Sequence, residues 1–97
     1  MTRSISWEEG KRREVLRVRG VDMVRVALIL DRREDLSIAI DTRADYGEHR
    51  FQAVGRLGGD YYFLVYTKRR GTRHLITAWR LSDASRQRYQ DRHARRN

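Results

Sequence analysis

The stretch from Leu57-Gly58-Gly59-Asp60 through Tyr61-Tyr62-Phe63-Leu64-Val65-Tyr66-Thr67 to Lys68-Arg69-Arg70-Gly71 constrains the fold of this chain more than any other. Its centre has the aromatic and β-branched richness of a central strand, and the glycines on both sides mark hairpin turns. A strand leaving such turns must find antiparallel neighbours. They are present: Arg50 through Leu57 alternates polar and apolar residues, and Arg73-His74-Leu75-Ile76-Thr77-Ala78-Trp79 follows the second turn. Three meandering strands result, and Ser37-Ile38-Ala39-Ile40-Asp41 is a short candidate for a fourth.

The segment ahead of this meander reads as helical. Ser6-Trp7-Glu8-Glu9 has the form of a capping box and places a helix start at Trp7. Lys11, Val15 and Val18 share a face at helical spacing, and Gly20 is a left-handed stop. Asp22 is a second N-cap, flanked by Val21 and Val26 at the positions of a hydrophobic staple. The helix it starts runs from Met23 to about Leu30 and is apolar on most sides, which predicts burial. At the other end Ser82 can cap a final helix with Asp83 in its first turn. From Arg86 onward that helix has almost no apolar face, so residues from about 90 to 97 are expected to fray as a basic tail. The fold class is therefore α+β: two N-terminal helices, an antiparallel meander of three to four strands and a C-terminal helix, with the sheet covered on one face. At 97 residues the chain is expected to form one domain over 1–97, because two cores of half that size would each be marginal.

Charge points to the class of partner. The 22 basic and 13 acidic residues give a formal charge of +9, and Lys11 and Lys68 are the only lysines. Arginine's planar fork suits phosphate, so the excess suggests contact with a polyanion. A G+C-rich genome is the alternative source of the arginine-to-lysine ratio, but it does not explain the net charge. Zero cysteines exclude a disulfide framework, a thiolate metal site and a cysteine nucleophile, and the three histidines are scattered, so neither a metal nor a cofactor is expected. No apolar run approaches a membrane span and the N-terminus lacks a signal-peptide segment, which makes a cytoplasmic protein the expectation.

One segment carries a resemblance. Asp41-Thr42-Arg43-Ala44-Asp45-Tyr46-Gly47-Glu48-His49-Arg50-Phe51, followed by Gly55-Arg56-Leu57-Gly58-Gly59 and Val65-Tyr66-Thr67, resembles the core signature of BrnT-type toxins. The similarity extends from Trp7 to about Tyr89. Trp7-Glu8-Glu9-Gly10-Lys11 is similar to the family's W-D-x-x-K opening, with Lys11 at its lysine. Where the family tends to carry N-x-x-K-H-G, this chain reads Val15-Leu16-Arg17-Val18-Arg19-Gly20. Where it tends to carry R-I-I-S-A-R-R-A and a T/S-x-x-E helix start, this chain reads His74-Leu75-Ile76-Thr77-Ala78-Trp79-Arg80-Leu81 and then Ser82-Asp83-Ala84-Ser85. The resemblance implies a fold like that of the RelE and ParE toxins. It also implies the toxin component of a type II toxin–antitoxin pair, acting as an endoribonuclease on RNA and neutralised by a cognate antitoxin of the ribbon-helix-helix type. Operator DNA would then be reached only through the antitoxin complex.

Metal-independent RNA cleavage needs a base for the 2′-OH, an acid for the leaving 5′ oxygen, and cations for the charge that builds on phosphorus. The candidates for catalysis are Arg56, His74, Arg80 and Tyr66, and those for RNA binding are Arg50, Arg73, Arg88, Tyr89 and Trp79. Alternation puts Arg50, Gln52, Val54 and Arg56 on one face, so the two arginines could flank a groove about 20 Å long. A solvated sheet face would carry the same pattern. Histidine is the side chain whose unperturbed pKa, about 6.5, lies near working pH, which makes His74 the candidate for proton transfer, but alternation turns it away from its neighbour Arg73. Tyr66 and Tyr89 could stack a base or donate a proton, and Trp79 is either a stacking platform or a lid on the core. Asp41, Arg43, Asp45 and Glu48 around Tyr46-Gly47 read as a polar loop network. Two other functions stay open beside the ribonuclease: a catalytically weakened domain of the same fold that binds an antitoxin as co-repressor, and a general nucleic-acid-binding module.

Overall fold

The structure is a computed structural model that describes residues 4–32, 36–41 and 47–96, with side chains in the last helix described as far as Asp91. The elements in chain order are β1 (Ile5–Ser6), α1 (Glu9–Arg19), α2 (Met23–Val26) running into a 3₁₀ segment (Ala27–Asp31), β2 (Ser37–Asp41), β3 (Arg50–Leu57), β4 (Asp60–Arg69), β5 (Thr72–Arg80) and α3 (Asp83–Arg96). The strands form one five-stranded sheet in the order β1-β5-β4-β3-β2. This is the α+β class read from the sequence, with one correction. The sheet is mixed rather than an antiparallel meander of three to four strands, because β1 joins it parallel to β5 through the pairs Ile5–Arg73 and Ser6–His74.

Strand β4 sits in the middle, and Tyr61, Tyr62, Leu64, Val65, Tyr66 and Thr67 are all buried, which is why its sequence shows a continuous run rather than alternation. The turn into it uses Gly58 at φ 64°. The turn out of it places Arg70 at φ 53° and Gly71 at φ 78°, two successive left-handed residues whose twist matches a tight hairpin. One face of the sheet, the inner face, is covered by α1, α2 and the 3₁₀ segment. There Val15, Met23, Val26 and Ile29 pack with Ala53, Leu57, Leu64, Leu75 and Ala78. The other face, the outer one, carries Arg50, Gln52, Val54 and Arg56 by alternation along β3. At one end of it α3 lies against Tyr61, with the Tyr89 ring 5.4 Å and the Arg86 guanidinium 5.4 Å from the Tyr61 ring.

The helix starts and stops divide into those that local chemistry fixes and those that distant residues decide. Gly20 ends α1 at φ 67°, donating its N–H to the Leu16 carbonyl, as its position predicts. Asp22 caps α2, accepting from the Val24 N–H, and Val21 and Val26 beside it are buried. Ser82 caps α3 through the Ser85 N–H at 3.2 Å. The capping box at Ser6 does not form. Ser6 is a strand residue whose hydroxyl pairs with His74, and α1 starts at Glu9 without a side-chain cap. The helix expected from Met23 to about Leu30 covers the right residues but tightens to 3₁₀ geometry after Val26.

Two consequences are measurable. A Cβ added at Gly55 would lie 2.9 Å from the Cβ of Ile29, a branched atom close to its own backbone that cannot swing away. Gly55→Ala should therefore lower the urea-unfolding free energy by about 1–3 kcal/mol, as overpacked cores do. Asp22 accepts two hydrogen bonds from Arg12 at 3.0 and 2.9 Å, and that guanidinium holds its carboxyl below the usual carboxylate range. With its pKa lower folded than unfolded, Asp22 stabilises fully above the unfolded value of about 3.9 and loses that contribution as pH falls through the folded value. In Asp22→Ala, stability at pH 7 should drop by about 1–2 kcal/mol and the deficit should shrink on acidification below pH 4.

Candidate functional site

The strand registers bring one polar residue from every strand into a single row. Asp41 on β2 pairs with Arg50 on β3, Arg50 with Thr67 on β4, Thr67 with His74 on β5, and His74 with Ser6 on β1. Directly paired residues point to the same face, so the row crosses the whole outer face at the end remote from α3. It is a tied structure. Thr67, 1% exposed, donates its hydroxyl to the His49 carbonyl at 2.7 Å, Asp41 is 5% exposed, and Ser6 Oγ lies 2.9 Å from His74 Nδ1. The Ser6 contact fixes one ring nitrogen of His74 and leaves the other to its surroundings.

A β-bulge decides which way His74 points. Val65 pairs with Thr77 but Tyr66 pairs with Leu75, so Ile76 is an extra residue in β5. Counting back from Thr77 on the outer face, plain alternation would turn His74 inward. The extra residue returns it to the outer face and leaves Arg73 on the inner one.

A cavity of about 180 Å³ opens beside the row, lined by Glu8, Lys11, Arg50, Arg69, His74, Leu75 and Ile76. It is smaller than the usual pocket for a whole small molecule, roughly 300–1,000 Å³, and suits one charged group of a larger ligand. Glu8 and Lys11 reach it because β1 delivers the start of α1 next to β5. Arg69 enters from the end of β4, where it donates to Glu48 at 3.2 Å, and this contact holds the Glu48 carboxyl below its ordinary pKa. Three permanent cations, a histidine and a carboxylate thus share one small space. Side chains of these types can together hold an oxyanion and exchange a proton beside it. Among the described residues no group of three or more histidines and carboxylates is placed to hold a metal ion.

Of the residues singled out from the sequence, His74 and Arg50 meet here. Arg73 faces the opposite side of the same hairpin. Arg56 and Arg80 lie at the far end of β3 and β5, Arg80 donating to Asp60 at 3.3 Å, and Tyr89 is near them against Tyr61. Arg88 follows on α3, where its guanidinium donates to Ser85 Oγ at 3.1 Å. Tyr66 is 2% exposed on the inner face, stacked on Phe51 with centroids 5.4 Å apart. Trp79 sits on the outer face, where it stacks on Phe63 at 4.3 Å and has the Arg19 guanidinium 4.9 Å from its ring. Its ring is thus engaged within the protein. In the signature loop Glu48 is in place, whereas Arg43, Asp45 and Tyr46 lie outside the described residues. Sequence reasoning missed Ser6, Glu8 and Arg69 as site residues. Lys11 carried a signal, its match to the family's lysine, but not a position.

The architecture defines a small α+β protein with a cationic cleft, lined also by a histidine and a carboxylate, at one end of an open sheet face. The model of the BrnT ribonuclease toxins of type II toxin–antitoxin systems matches residues 7–85, and the chain belongs to that family. It is thereby a ribonuclease-type toxin whose family pairs with an antitoxin. A comparison with curated proteins returned no significant match. No helix among the described residues is long and apolar enough to cross a membrane.

Thr67 tests how far the row is structural. Thr67→Val keeps the shape but leaves the His49 carbonyl without its donor, and should cost about 1–2 kcal/mol in chemical denaturation.

Proposed function

We propose that this protein is a metal-independent endoribonuclease that cleaves single-stranded RNA at the cavity beside the polar row. The observation that carries this reading is the convergence of His74, Glu8, Lys11, Arg50 and Arg69 on one space of phosphate size. A phosphodiester seated there has its non-bridging oxygens among three cations, which stabilise the added negative charge of a five-coordinate phosphorus. His74 and Glu8 are the two groups that can exchange protons. One removes the 2′-hydroxyl proton as that oxygen bonds to phosphorus, and the other protonates the 5′ oxygen as its bond to phosphorus breaks. The products are a 2′,3′-cyclic phosphate and a free 5′-hydroxyl. Ser6 positions the His74 ring, and Glu48 positions Arg69.

The cognate antitoxin, of the ribbon-helix-helix type, neutralises this cytoplasmic toxin by covering the cationic end of the outer face. Operator DNA is contacted through the antitoxin. Charge complementarity supports such a partner, because a +9 surface speeds association with acidic segments.

The test is cleavage of a labelled single-stranded RNA by purified protein in the presence of a chelator, with cyclic-phosphate ends scored. His74→Ala should slow cleavage by about 10²–10⁴-fold. Arg50→Ala should slow it by about 10²–10³-fold. Arg80→Ala, some six residues along β5 from His74, should cleave at close to the wild-type rate. Equal loss in Arg80→Ala and His74→Ala would move the site to the other end of the sheet. Intact RNA with every folded variant, together with tight antitoxin binding, would replace the enzyme with a co-repressor of the same fold.

A further inference from the structure

Arg73 is the least comfortable residue in the fold. It is 9% exposed, and its Nε is buried without a hydrogen-bond partner. Its guanidinium lies 5.9 Å from the Tyr66 ring, and among the described residues no carboxylate forms an ion pair with it. Directly opposite, in register on β4, stands a second cation: Lys68 pairs with Arg73 across the strands, and its ammonium rests 5.0 Å from the Phe51 ring. Like charges in direct cross-strand register repel, and a buried cation without a counter-ion carries a desolvation cost that an aromatic face offsets in part. Half-buried Arg12, by contrast, is matched with the carboxylate of Asp22. At Arg73 and Lys68 the described residues supply rings and no anion.

The pair also has a telling location. It lies at the tip of the β4–β5 hairpin, one residue from Arg69 and His74, which face the cavity on the opposite side. The tip is thus cationic on both faces, with Arg69 on one, next to Arg50 of β3, and Arg73 and Lys68 on the other.

We propose that Arg73 and Lys68 form a second phosphate-binding site, on the inner side of the hairpin tip, which grips the RNA backbone next to the phosphodiester held in the cavity. This rests on the ribonuclease reading of the cavity and adds to it a path: the RNA bends over the hairpin tip instead of lying flat along the outer face. The aromatic rings of Tyr66 and Phe51 hold the two cations in place before the ligand arrives, so the missing counter-ion is the backbone of the substrate.

The experiment measures binding of a single-stranded oligonucleotide with 2′-deoxy sugars, which cannot be cleaved, by fluorescence anisotropy across a salt series, together with thermal unfolding. The variants are Arg73→Met, which keeps length and removes charge, and the exposed Lys68→Gln, which leaves the core untouched. Each should weaken binding roughly tenfold at low salt. The double variant should flatten the dependence of log affinity on log salt by about 1.4, the value for two phosphate contacts on a single strand. Arg73→Met should unfold at the same temperature as the wild type or higher, since it removes an uncompensated buried charge. A destabilised Arg73→Met with Lys68→Gln binding like the wild type would show that the pair is structural and overturn the proposal. Unchanged salt dependence in both variants, with loss of antitoxin binding instead, would overturn it in favour of a protein carboxylate. A wild-type protein that binds no oligonucleotide would overturn the ribonuclease reading as well, so the two failures are distinguishable.

Discussion

Every strand in this protein takes its register, directly or through one neighbour, from β4. All of its Tyr61–Thr67 stretch but Phe63 is buried, it pairs with β3 from Asp60 to Thr67 and with β5 from Tyr62 to Arg69, and β2 and β1 hang on those. Slipping either pairing by one residue would exchange the inner-face Tyr62, Leu64 and Tyr66 with partners meant for the outer face. The inner-face core therefore fixes the registry of the polar row on the outer face. The row from Asp41 to Ser6 is aligned by apolar residues on the other side of the sheet.

That dependence explains what the sequence revealed and what it concealed. Arg50–Leu57, the aromatic run and the turns around Gly58 and Gly71 were readable because each signal is contained within a few residues. The caps at Asp22 and Ser82 and the stop at Gly20 belong to the same class. Strand β1 was not readable, since two residues show no periodicity and their partners lie 68 residues away. Ser6 shows the conflict most sharply. Its local pattern favours a helix cap, but its hydroxyl is used by His74 and its backbone by the edge of β5, and the tertiary contacts win.

The candidate site was half legible for the same reason. His74 and Arg50 stood out as a titratable residue and a base on strands, and alternation placed Arg50 correctly. Glu8 and Lys11 sit on the first helix and reach the cavity only because β1 threads the chain to the sheet edge. Arg69 looked like a turn residue. No spacing rule joins positions 8, 11, 50, 69 and 74. What joins them is the order of strands, which only the folded chain displays.

The bulge at Ile76 has an evolutionary meaning as well as a geometric one. Side-chain direction along a strand is a matter of odd and even, and one inserted residue changes the parity of everything on one side of it while the pairing beyond is kept. A single codon gained or lost in β5 therefore moves the histidine between the solvent cleft and the core, exchanging it with Arg73. Homologues that differ by one residue between the counterparts of Leu75 and Thr77 should be aligned by face and not by sequence position, since the same letters would then occupy opposite sides of the sheet.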